Sequence, residues 1–167
     1  MFGLSKQERL QRAADRGDAE SQMCLGYAYQ IGQGVQQDYA EALKWYRLGA
    51  AQGHPGCQCN LGVMYQNGGG VPQNYREAAN LFYQAAVQGY APAQFNLAGL
   101  YSTGRGVPLD DAEAVKWYRK AAEQGVAAAR DILESFEQEG RGTAQPSVDV
   151  RSRKPLRSML LLMRSRL

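Results

Sequence analysis

Asn60-Leu61-Gly62-Val63-Met64-Tyr65-Gln66-Asn67-Gly68-Gly69-Gly70-Val71 decides the fold of this chain. The stretch reads as the second half of a helix running into a glycine turn, and it has two close copies. Leu25-Gly26-Tyr27-Ala28-Tyr29-Gln30-Ile31-Gly32-Gln33-Gly34-Val35 lies 36 residues before it. Leu97-Ala98-Gly99-Leu100-Tyr101-Ser102-Thr103-Gly104-Arg105-Gly106-Val107 lies 36 residues after it. A fixed period of this size is the mark of a helical array. The expectation is an all-α solenoid.

Outward from that stretch, Gly17, Gly53, Gly89 and Gly125 also fall 36 apart, each where a left-handed residue should close a helix. Three full repeats follow at residues 18–53, 54–89 and 90–125, with first helices over 19–31, 55–67 and 91–103. Leu25 and Tyr29, Leu61 and Tyr65, and Leu97 and Tyr101 are four apart and share one helix face. Gly26, Gly62 and Ala98 beside that face let a neighbouring helix come close, at about 0.5–1 kcal/mol of helix propensity for each Gly. Ser21, Cys57, Ala93 and Ala129 occupy another position that is always small. The turn glycines supply conformations that a Cβ resists.

The second helix opens three times on a cap followed three residues later by Glu: Asp38 and Glu41, Asn74 and Glu77, Asp110 and Glu113. This predicts capping boxes worth about 1 kcal/mol per cap. Ala42, Leu43, Tyr46 and Ala50 then form one apolar face, repeated by Ala78, Ala79, Phe82 and Ala86 and by Ala114, Val115, Tyr118 and Ala122. The aromatic set Tyr39, Trp45, Tyr46, Tyr75, Phe82, Trp117 and Tyr118 is assigned to packing. Residues 1–17 hold the second helix of an incomplete leading repeat, an N-terminal capping helix expected over 4–16. A fourth first helix is expected at 126–139, where Glu134 and Glu137 replace the expected Gly and Tyr, as an end cap requires. The array therefore spans 18–142, its last repeat (126–142) partial. Residues 143–167 form a separate basic tail, expected to begin as a linker and to hold a short helix over 156–167, the tail being either a mobile extension or a helix folded back over the open end of the array.

Composition limits the function classes. At 44% hydrophobic and 21% charged the chain can bury a core. The tail carries six basic residues against the single acid Asp149, so the chain's net charge of +3 leaves everything before it at −2. An acidic body repels phosphate, and no nucleic acid is expected as a partner. No export signal or membrane-length apolar run is visible, so a cytoplasmic location with free thiols is expected. The single histidine, His54, leaves no second imidazole for a His-based metal cluster, and it is assigned a structural or exposed place and not one in a Ser-His pair. Cys57-x-Cys59 is not a zinc spacing; Cys24 and Cys59, on successive first helices, have room to lie near each other, but the cysteines are assigned as free thiols and not as a redox switch. Gly32-Gln33-Gly34 and Gly104-Arg105-Gly106 lack the residues that complete a phosphate loop. No catalytic residue, metal or cofactor is assigned.

The chain resembles the Sel-1-like repeats, relatives of the tetratricopeptide repeat. The pattern LGxxYxxGxGV followed by DYxxAxxWYxxAAxxG is met from Leu25 to Gly53, with Gly49 where the first Ala belongs. The third copy meets it with Trp117-Tyr118 and Ala121-Ala122, and the second departs at Leu81-Phe82. The resemblance covers about residues 5 to 142. It implies a right-handed superhelix of paired antiparallel helices, and a non-catalytic adaptor that holds a peptide or helix of another protein in a concave groove lined by the first helices. The groove positions would be Met23, Tyr27 and Gln30, then Cys59, Val63, Gln66 and Asn67, then Phe95, Ser102 and Thr103. Asn60 and Asn96 would bond a peptide backbone or a neighbouring turn. Some relatives have been described as β-lactamase-like, but the Ser-x-x-Lys nucleophile of that chemistry is absent here. A peripheral membrane module held by the tail is the alternative from another class.

Overall fold

The computed structural model describes residues 5–142, and the expectations for the tail, its linker, short helix and membrane contact, lie outside them. Eight helices make up the described residues: α1 (Lys6–Asp15), α2 (Ala19–Ile31), α3 (Tyr39–Ala51), α4 (Pro55–Asn67), α5 (Tyr75–Val87), α6 (Ala91–Thr103), α7 (Asp111–Glu123) and α8 (Ala127–Glu139). Each packs mainly on its neighbours in the chain, most extensively within the pairs α2·α3, α4·α5 and α6·α7. The result is an α-α solenoid. The first helices of the three full repeats begin and end where the 36-residue pattern sets them.

Ser5 opens α1 with a reciprocal box: its hydroxyl accepts from the Glu8 amide, and the Glu8 carboxylate accepts from the Ser5 amide. This cap starts the helix at Lys6, two residues later than the apolar pattern implied. At α3, α5 and α7 only half of the expected box forms. Asp38, Asn74 and Asp110 accept from the third amide of their helix. Their own amides donate instead to the carbonyls of Tyr29, Tyr65 and Tyr101, which ties the end of each first helix to the start of the second. Glu41 and Glu113 pair with Lys44 and Lys116.

The core is a row of contacts repeated by register. Tyr46, Phe82 and Tyr118 are buried between helix pairs, and the rings of Tyr46 and Phe82 lie over Gly26 and Gly62. A Cβ at either glycine would sit 2.7 Å from its ring. Gly70 and Gly106 are constrained twice: each has φ near +74°, and each presses on the start of the preceding repeat's second helix, at Tyr39 and at the Tyr75 backbone. Tyr39 is exposed and Tyr75 half-buried; both pack between repeats against these turns, and Tyr75 also rests on the main apolar cluster. Trp45 is buried with Ala14 and Leu25, and its indole N–H has no hydrogen-bond partner.

A polar ladder joins buried to exposed glutamines alongside. The side chains of Gln52, Gln88 and Gln124 donate to those of Gln22, Gln58 and Gln94 at 2.7, 2.8 and 2.8 Å. Gln22 and Gln94 in turn donate to the carbonyls of Ala14 and Ala86. The last turn is fastened by Arg141, which makes two hydrogen bonds to Asp111 and lies over the ring of Phe136.

Candidate functional site

The first helices lie beside one another closely enough for the Asn96 amide of α6 to meet the Cys59 thiol of α4 at 3.8 Å. Along this face the twelve residues expected to serve a partner separate into groups. Gln66, Phe95, Asn96 and Thr103 line one pocket of about 200 Å³ between the second and third repeats. Tyr27, 49% exposed, stands apart from them on a larger hollow between α1 and α2. Asn67 is exposed at the end of α4.

The others are engaged in holding the fold. Gln30 accepts from the Tyr46 hydroxyl at 2.7 Å, and Asn60 is a further hydrogen-bonding neighbour of that hydroxyl. Met23 rests its sulfur against Gly56, and Val63 packs on the main apolar cluster. Ser102 bonds back to the Gly99 carbonyl, and its own carbonyl accepts from Arg141. Cys59 is 3% exposed, and burial pushes its thiol up to about 12. Its contact is with Asn96, while Cys24 is exposed on α2 with its thiol 4.0 Å from the Glu20 carboxylate, and both cysteines are free thiols.

Four lining residues were not among those expected to serve a partner: Gly99 and Leu100 of α6, and two with larger side chains, Tyr75 and Arg105. Tyr75 closes one side, and Arg105 lies over its ring at 5.5 Å from the centroid. The signal was there: Gln33, Gly69 and Arg105 differ in charge and size at one turn position, inside an otherwise repeated motif. The pocket therefore offers two side-chain amides, a guanidinium and two aromatic rings in a small volume. Such a set suits a chain segment with exposed backbone groups and an apolar or acidic side chain.

His54 caps α4. Its Nδ1 accepts from the Cys57 amide at 3.2 Å, and its Nε2 lies 3.0 Å from Glu20. Among the described residues no group of histidine, cysteine and carboxylate side chains is placed to hold a metal ion. No helix among them is long and apolar enough to cross a membrane.

Comparison with known proteins places the array. The sequence model described as the Sel1 repeat matches residues 19–54, 55–90 and 91–126. The chain is similar to a solved Sel1 repeat protein from Oxalobacter formigenes, at 37% identity and a TM-score of 0.71 over 79% of this chain and 99% of that one. It is also similar to c5321, a protective antigen present in uropathogenic Escherichia coli strains and displaying an SLR fold, at 40% identity and a TM-score of 0.79. That match takes in 83% of this chain, which spans only 30% of the antigen's. Cysteine rich protein B of Helicobacter pylori shares the fold, at 20% identity and a TM-score of 0.62 over 79% of this chain and all of that one. No curated protein sequence matches. Repeat arrays of this kind are generally protein-interaction modules and non-enzymatic scaffolds.

Proposed function

Because the chain belongs to the Sel1 repeat family, we propose that it is a non-catalytic adaptor whose first helices receive a peptide or helix of another protein. The observation that carries this reading is the pocket in which Gln66, Phe95, Asn96 and Thr103 meet Tyr75 and Arg105. Phe95, Thr103 and Arg105 differ in every copy of the repeat, whereas Gln66, Asn96 and Tyr75 recur once each, as Gln30, Asn60 and Tyr39. An extended segment would set its backbone against the amides of Gln66 and Asn96 and one side chain between the rings. Arg105 favours an acidic group at that point.

Panning the immobilised chain with a displayed library of short random peptides tests this. Selected peptides are expected to bind a Gln66→Ala, Thr103→Ala, Arg105→Ala variant about tenfold more weakly or worse, a loss of about 1.4 kcal/mol. The variant should keep its helical circular dichroism, because none of these side chains is buried in the core. Peptides that bind both proteins equally would overturn the assignment of the pocket. The non-catalytic half is checked with a chromogenic β-lactam, for which no turnover above buffer is expected.

A further inference from the structure

Among the described residues the array opens on a helix of the second kind and closes on one of the first kind. α1 stands in the register of α3, α5 and α7, and α8 stands in that of α2, α4 and α6. The pairing of a first helix with its own second helix is the most extensive contact of the array, and both end helices lack it.

On α1 this leaves a hollow of about 660 Å³, lined by Leu10 and Ala13 and, across from them, by Tyr27 and Ala28 of α2. One period later the same positions are Tyr46 and Gly49 of α3 and Val63 and Met64 of α4. There the space is filled by α2, with Gly26 under the Tyr46 ring and the Ala19 carbonyl 3.7 Å from the Cys57 thiol. The hollow is thus the seat of a first helix.

α8 has the side chains to fit it. Leu133 is only half-buried, whereas Leu25 and Leu97, its counterparts, are 0% and 1% exposed. Glu134 stands where Gly26 stands. Against a Tyr46 ring no Cβ fits at that position, but the seat on α1 presents the shorter Leu10 and leaves room. Lys6 and Arg9 border the seat, and Glu134 and Glu137 lie exposed on the open face of α8. The charges match at the positions that would meet. The chain's own residues 143–167, with six basic residues against one acid, have the wrong sign for that border.

We propose that α8 of one copy docks on α1 of the next, completing a repeat across two chains and continuing the array head to tail. Such a contact is heterologous, so nothing limits it to two copies.

Sedimentation velocity of the full chain at low salt and rising concentration tests this. The expected result is a weight-average sedimentation coefficient that keeps climbing past the dimer, and that falls back when salt is raised to screen the charges. Lys6→Glu with Arg9→Glu, and separately Glu134→Lys with Glu137→Lys, should each give a monomer. Mixing the two variants should restore association, because each reversed end then meets its complement. Circular dichroism of each variant shows that it is folded. A wild-type chain that stays monomeric at about 1 mM would overturn the proposal. So would a saturating dimer, association unchanged in both variants, or a mixture that stays monomeric.

Discussion

At the residue scale, the repeat is enforced by the absence of methyl groups at particular places. A Cβ at Gly62 would lie 2.7 Å from the Phe82 ring, which is itself fully buried and has nowhere to move. Gly62→Ala is therefore expected to destabilise the fold by about 1–3 kcal/mol. Gly99 sits in the middle of α6 with the Tyr118 hydroxyl 3.6 Å from an added Cβ, an ordinary contact. Gly99→Ala should be neutral or stabilising by up to about 1 kcal/mol, through helix propensity alone. Urea midpoints of the two variants, side by side, check both. Gly49 shows the same logic in compensated form. The Cys57 thiol fills the space of the methyl that Ala85 and Ala121 carry opposite Ala93 and Ala129.

The thiols set an alkaline limit. Burial pushes Cys57 and Cys59 up to about 12 from an ordinary 9.0. Between those values the unfolded chain has released these protons and the folded chain still holds them, so stability is intact below about pH 9 and falls as pH rises toward 12. Tyr46 is raised by burial as well and adds to the fall at its upper end. Denaturation midpoints measured from pH 8 upward should decline, and less steeply in Cys59→Ala. Alkylation near pH 8 should modify Cys24 alone until urea is added.

At the scale of elements, the glutamine ladder is what sequence periodicity shows and composition hides. Gln94 is 4% exposed and links the end of α5, through the Ala86 carbonyl, to Gln124 beyond the end of α7. Gln94→Leu should cost about 1–3 kcal/mol, because it removes two hydrogen bonds worth about 0.5–1.5 kcal/mol each, although the Ala86 carbonyl keeps the Gly89 amide. Gln124→Leu orphans the Gln94 oxygen and should cost a similar amount. The double variant should cost clearly less than the sum, since each single change already breaks the shared bond. A double-mutant cycle in urea measures the difference. Simple additivity would mean that the ladder carries no coupling between the elements.

At the scale of the molecule, contacts run only between neighbours, so the array should tolerate loss of a whole period. Removing residues 90–125 sets Ala129 of α8 against Ala85 of α5, the pairing that Ala93 now makes. That shortened chain is expected to fold, with unchanged helicity per residue and a lower Tm. Removing residues 54–89 instead sets Ala93 against Gly49, where a thiol is needed to fill the space. The second deletion should be less stable than the first, although both remove the same length. Equal melting temperatures would show that the Gly49–Cys57 fit contributes nothing.

The sequence by itself determined the helices of the described residues, the period and the packing positions. Each repeat solves the same steric problem, so its small, apolar and capping residues must recur at the same spacing. It also marked out a face, because residues that vary between copies are those the fold does not need. Only the tertiary structure decided which of those residues are free. Of the residues read onto that face, Cys59 is buried against Asn96 and Gln30 is held by Tyr46. Arg105 and Tyr75 came from a turn and a second helix, outside the face that was read. Contacts between successive repeats depend on how close two helices approach, a distance that period and polarity leave open.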